Sequence, residues 1–127
     1  MQALHPNSCM LFRLTEGAHS LVYMLDYELG QADETVRKEL EAFIYKADHM
    51  IFDAQYTREE LSDHAGWGHS CWEQGLELGE CAGIGQIMLT HYDRSHTDDF
   101  LRELEKQASK RSSCSIFMRE KNVYPLW

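Results

Sequence analysis

The chain has 127 residues, 43% of them hydrophobic, with three Trp, six Tyr and five Phe, and only two prolines and eight glycines. That is enough for one packed domain, which at this size buries roughly two-thirds of its unfolded surface, and it excludes a disordered or linker-rich chain. The formal charge of −9, from 21 acidic against 12 basic residues, disfavours sequence-independent binding to a nucleic-acid backbone, which requires surplus Lys and Arg.

Taken in chain order, Met10–Leu14 and Leu21–Leu25 are short apolar runs separated by Thr15 to Ser20, and they predict two antiparallel strands joined by a hairpin. After the Gly30 break, Asp33 or Glu34 can cap a helix whose apolar positions Val36, Leu40, Phe43 and Ile44 recur at helical spacing. Met50–Phe52 predicts a strand closing on Asp53, followed by a polar functional loop from Thr57 to Gly68. Ser70 with Glu73 fits a capping box for a helix running to about Ala82, which Gly83 and Gly85 end. Ile87–Leu89 predicts the next strand. Thr97-Asp98-Asp99 open a third helix with Phe100, Leu101 and Leu104 on its apolar side, and Cys114–Met118 add a last strand. The alternation of strands and helices with short connections implies an α/β fold: one domain over residues 1–127, a mixed, partly parallel sheet with flanking helices.

Cys9, Cys71, Cys81 and Cys114 are dispersed, with no C-x-x-C pair, and read as reduced core thiols, so a cytoplasmic location is expected. No apolar stretch approaches the ~20 residues needed to cross a bilayer.

Apolar runs ending in Asp or His deliver those side chains to the carboxyl edge of a sheet, where open α/β sheets bind ligands. Leu25-Asp26, Ile51-Phe52-Asp53 and Leu89-Thr90-His91 are three such deliveries. Asp26, Asp53 and His91 alone leave room for turn-forming or strand-capping roles. The phrases Asp53-Ala54-Gln55-Tyr56-Thr57, Gly66-Trp67-Gly68-His69-Ser70 and Leu89-Thr90-His91-Tyr92, with Leu4-His5-Pro6 and Leu25-Asp26, resemble the metallo-β-lactamase superfamily, in its phosphodiesterase and tRNA-maturation-nuclease-like branch. The superfamily's H-x-H-x-D-H string is absent, so the chain resembles only the C-terminal half of that domain, one half of an αββα sandwich.

The resemblance implies that His5, Asp26 and His91 are metal ligands, that His69 handles a proton, and that Asp53 steadies the site from behind. It places Tyr56, and His96 one loop beyond His91, near the substrate. His19, His49 and His64 match nothing and read as solvated or locally hydrogen-bonded. The implied chemistry is two-metal hydrolysis of a phosphodiester, with Zn, Mn or Fe as the divalent cofactor; the acidic charge favours a small or cyclic one over a nucleic-acid partner, and the lack of long apolar stretches excludes a membrane partner. With half the ligands missing, the expected forms are a homodimer or a pair with a complementary N-terminal half-domain. The isolated chain is expected to be an incomplete hydrolase, weakly active or inactive; a non-catalytic association module, or a single Zn held by His5, Asp26 and His91, are the alternatives.

Overall fold

A computed structural model describes residues 1–127. Strand β1 (Phe12–Glu16) turns through Gly17-Ala18 into antiparallel β2 (His19–Met24), a tighter hairpin than the six-residue connection expected. Gly17 supplies the positive φ, +60°, that such a turn requires. Helix α1 (Glu34–Ile44) follows, then β3 (His49–Asp53), α2 (Trp72–Ala82), β4 (Gln86–Thr90), α3 (Asp98–Arg111) and β5 (Ser115–Phe117). The five strands form one sheet in the order β1-β2-β3-β4-β5, with β2 to β5 parallel.

Local chemistry sets the helix starts. Asp33 accepts a hydrogen bond from Val36 N at 2.9 Å to open α1, and Thr97 Oγ1 accepts from Phe100 N at 3.3 Å to open α3. The start of α2 differs from expectation. Cys71, not Ser70, is the N-cap, and its N–H donates to Gln74 Oε1 at 3.2 Å. Ser70 is buried and spent on tertiary bonds, donating to Tyr27 O at 2.5 Å and accepting from Leu29 N at 3.0 Å. A free hydroxyl would have capped the helix, but burial against the β2–α1 connection gives it two stronger partners.

All three helices cover one face of the sheet. Register places Val22, Met50 and Ile87 in one row and Met24, Phe52, Leu89 and Phe117 in the next. These side chains are buried with Leu40, Ile44, Leu76 and Leu104 in a single cluster, each large one contributing about 1.5–3 kcal/mol. Helix α2 sits unusually close because Gly75 and Gly79 face the sheet. A Cβ on Gly75 would lie 2.6 Å from Phe52 Cδ1, and one on Gly79 would lie 2.4 Å from Ile87 Cδ1. Phe100 is exposed, so the buried side of α3 is Leu104 and Ala108.

The opposite face carries Phe12, Tyr23, Ile51, Met88 and Ile116 in one row. The C-terminal residues cross part of it: Trp127 stacks on His19 and donates to Glu16, and the Leu126 carbonyl meets the His49 ring. Phe12, Leu14 and Tyr23 stay exposed. The four cysteines are unpaired, but only Cys71 is buried; Cys81 and Cys114 lie on the surface. Core thiols therefore describe one of the four, because Cys81 falls on the solvent side of α2 and Cys114 in the loop before β5.

Candidate metal centre

Parallel pairing of β2, β3 and β4 brings three chain segments to one edge. Asp26 lies two residues past β2, Asp53 ends β3, and His91 follows β4. His69 arrives from the loop ahead of α2. The four offer ligand atoms that all lie within 4.8 Å of one another.

Asp53 is the hub. It is fully buried, its Oδ2 lies 2.8 Å from His69 Nδ1 and 3.5 Å from His91 Nδ1, and its Oδ1 accepts from Gln55 N at 3.1 Å. Burial pushes its carboxyl up, but the two imidazoles together outweigh burial and hold it below the usual carboxylate range. The same carboxylate raises the His91 imidazole, against the opposing pull of burial. Asp26 Oδ1 lies 3.9 Å from His91 Nε2 and 4.0 Å from His69 Nδ1.

Backbone strain marks two of these positions. Asp26 has φ +52° and His91 has φ +68°, left-handed conformations that cost a non-glycine residue about 1–2 kcal/mol and that cluster at functional sites. Both fall at the first turn after a strand, where the chain swings its polar side chain over the sheet edge.

The donor set fits a divalent metal. Donors that share an ion at roughly 2.0–2.2 Å stand a little over 3 Å apart; Asp26 Oδ1 and His91 Nε2 are 3.9 Å apart, and all four side chains keep a donor atom within 4.8 Å of the others. His91 Nδ1 is buried and completes no hydrogen bond, with Asp53 Oδ2 standing 3.5 Å away, so the cluster holds an atom that an ion or an adjusted imidazole would satisfy. Two imidazoles with two carboxylates suit Zn, Fe or Mn.

The other expected residues fall around this group. His5 lies beside it, its ring centroid 5.5 Å from that of His69, but outside the four; its Nδ1 accepts from Asn7 N at 3.1 Å and neighbours Cys9 Sγ at 3.4 Å. Tyr56 is only 2% exposed, beneath the stacked ring of His64 at 4.1 Å. His64 is locally hydrogen-bonded, one of the two readings expected for it, with Nδ1 2.8 Å from Glu60 O. The His96 side chain is 5% exposed and pairs with Glu60, Nε2 to Oε1 at 2.9 Å, tying the loop after β3 to the loop after β4. Burial pushes the Cys71 thiol up to about 12, favouring the protonated form. A cleft of about 650 Å³ borders His91, lined in part by Tyr92, Leu101, Phe117 and Arg119.

Glu28 is the residue that sequence reasoning missed. Its buried carboxylate accepts from Gly66 N at 2.7 Å and Gly68 N at 2.9 Å, holding the arch that carries His69. Nothing local distinguishes it from the other acidic residues; only the positive φ of Gly66 and Gly68, +84° and +90°, hints that their N–H groups converge.

The Glu60 pair has a measurable consequence. Burial raises the Glu60 carboxyl, but bonds from His96 and Thr57 leave it below its ordinary value. A depressed folded pKa contributes stability above the unfolded value, about 4.3, and loses it as pH falls through the folded value. Thermal melts should therefore show Glu60→Gln less stable than the parent at pH 7, with the gap closing toward pH 3. A gap independent of pH would remove the ion pair from the account.

No family model matches the chain. Its fold is that of the metallo-beta-lactamase fold protein YhfI from Bacillus subtilis, whose crystal structure aligns with TM-score 0.66 at 24% identity, over 91% of this chain and 42% of that one. In sequence it is 26% identical over 106 residues to the probable metallo-hydrolase YhfI of Bacillus subtilis, covering 84% of this chain and 40% of the relative. It is also 30% identical over 77 residues to ribonuclease Z of Lactiplantibacillus plantarum, covering 61% of this chain and 25% of the relative.

The chain is related over part of its length to the metallo-β-lactamase superfamily.

The crystal structure of human tRNase Z, short form, is also similar in fold, with TM-score 0.60 at 14% identity, over 73% of this chain and 34% of that one. The chain thus spans less than half the length of the relatives it matches. No helix is long and apolar enough to cross a membrane.

Proposed function

We propose that this metallo-β-lactamase-like chain carries part of the active site of a metal-dependent hydrolase acting on a small or cyclic phosphodiester. The observation that carries this reading is the convergence of Asp26, Asp53, His69 and His91 at one sheet edge. The relatives named metallo-hydrolase and ribonuclease Z support hydrolysis, and a phosphodiester as its object.

In this reading Asp26 and His91 hold a divalent ion, Zn, Mn or Fe, with His5 adjacent. The ion when bound neutralises charge developing on the phosphoryl group. Asp53 accepts from His69 Nδ1, which fixes the imidazole tautomer and leaves Nε2 to give or take a proton at the scissile ester. The backbone turns at Asp26 and His91 hold both side chains in place before substrate arrives, so little reorganisation remains for the reaction itself.

The exposed row Phe12, Leu14 and Tyr23 supports a second element of the proposal. This face is covered by a second copy of the chain or by a complementary N-terminal half-domain, since contiguous apolar surface on a soluble protein marks an interface. It also favours the alternative of an association module without turnover. A cytoplasmic location, consistent with four unpaired cysteines, belongs to the same reading.

The test is metal content per chain in protein purified without chelator, with hydrolysis of bis(p-nitrophenyl) phosphate and light scattering. Near-stoichiometric metal, turnover abolished in His91→Ala, and a dimer are expected. Metal-free, inactive protein would leave the association module standing, and a monomer would remove the homodimer.

A further inference from the structure

We infer that Trp67, with the aromatic rings stacked behind it, is a platform for the base of a nucleotide-type phosphodiester whose phosphate lies at the Asp26–His91 cluster. The inference rests on the phosphodiester reading above and adds the residue that would hold the base. Trp67 is 59% exposed, yet its backbone is fixed. The flanking Gly66 and Gly68 take positive φ, and both donate to the carboxylate of Glu28, itself only 7% exposed. Trp67 N also donates to His64 O at 3.1 Å. A large ring presented to solvent on a pinned arch loses little freedom on meeting a ligand.

The rings behind it connect to the metal centre. The Trp67 indole meets His64 edge-on at 4.8 Å and 88°. His64 stacks on Tyr56 at 4.1 Å and 18°, and Tyr56 meets His69 edge-on at 6.2 Å and 74°. His64 is held by its bond to Glu60 O. Because Trp67 lies two residues from His69, their Cα atoms lie within about 7 Å of each other, so one short arch carries both the indole and the proton-handling imidazole.

The cleft that borders His91 suits an anionic ligand less well. Its lining includes Asp93, Asp98, Glu105 and Glu120 against the single cation Arg119, which already pairs with Glu105. The exposed indole offers a neutral π surface of the sort on which any base stacks.

The test is equilibrium binding to the full chain in the presence of Mn²⁺, comparing adenosine 5′-monophosphate with ribose 5-phosphate by calorimetry. These share the phosphate and sugar and differ only in the base. The nucleotide should bind about tenfold more tightly, in line with the contribution of one base–aromatic stack. Trp67→Ala should abolish the difference and Trp67→Phe should restore most of it, with ribose 5-phosphate affinity unchanged throughout.

Equal affinities in the parent protein, a preference that survives in Trp67→Ala, or no binding of either ligand would each overturn the platform. Hydrolysis of bis(p-nitrophenyl) phosphate, measured in the same preparations, separates the two claims. Turnover without base preference sinks the platform and leaves the hydrolase reading intact. A base preference lost in Trp67→Ala, without turnover, keeps the platform and sinks the hydrolase reading.

Discussion

Replacing Asp53 by asparagine should lower divalent-metal affinity by at least about tenfold, and by as much as 100-fold, the range seen when a ligand's orienting carboxylate is lost. Hydrolysis should fall with it. Asparagine keeps the volume of a fully buried side chain, so the core beneath it is preserved. What disappears is the anion that faces His69 at 2.8 Å and His91 at 3.5 Å. Without it the His69 tautomer is no longer fixed, and the His91 imidazole loses the neighbour that raises it. Competition against a chromophoric chelator measures the affinity, with His19→Asn as a control far from the cluster. Unchanged affinity in Asp53→Asn would show that Asp26 and the histidines need no support from β3.

Phe52→Ala should destabilise the fold by about 3–5 kcal/mol, the usual cost of deleting a buried phenyl ring. Phe52 is fully buried in the row that runs from Met24 to Phe117, and α2 approaches it so closely that Gly75 has no room for a Cβ. Gly75→Ala alone should cost about 1–3 kcal/mol by overpacking. Combined with Phe52→Ala it should cost much less, because the added methyl enters the space left by the ring. Urea unfolding of the two single variants and the double variant tests the coupling. Additivity within about 0.5 kcal/mol would deny the contact.

These two residues show how unevenly the molecule could be read from its chain. Asp53 was visible because an apolar run ends on it, and a parallel strand must place such a residue at the carboxyl edge. The closeness of α2 was not visible. Gly75 and Gly79 sit among good helix formers, and a glycine in a helix announces nothing until the neighbouring sheet is known. His64 keeps the local hydrogen bond expected of it, to Glu60 O, but its stack on Tyr56, eight residues away across a loop, was not visible. Ser70 looked like a cap because the capping pattern is local, while the bonds that claim it, to Tyr27 and Leu29, span more than forty residues.

The sequence alone determined the order and types of the elements, the starts of α1 and α3, and the arrival of Asp26, Asp53 and His91 at the ends of strands, because periodicity and capping act over a few residues. Tertiary structure alone decided that Asp53 and His69 stand with Asp26 and His91 in one group of donors while His5 stands beside it. It also decided that Glu28 pins the Trp67 arch and that one sheet face is left largely without helices. Each of these depends on which distant segments pair and how closely they pack, and such distances are properties of register and side-chain volume that no local pattern encodes.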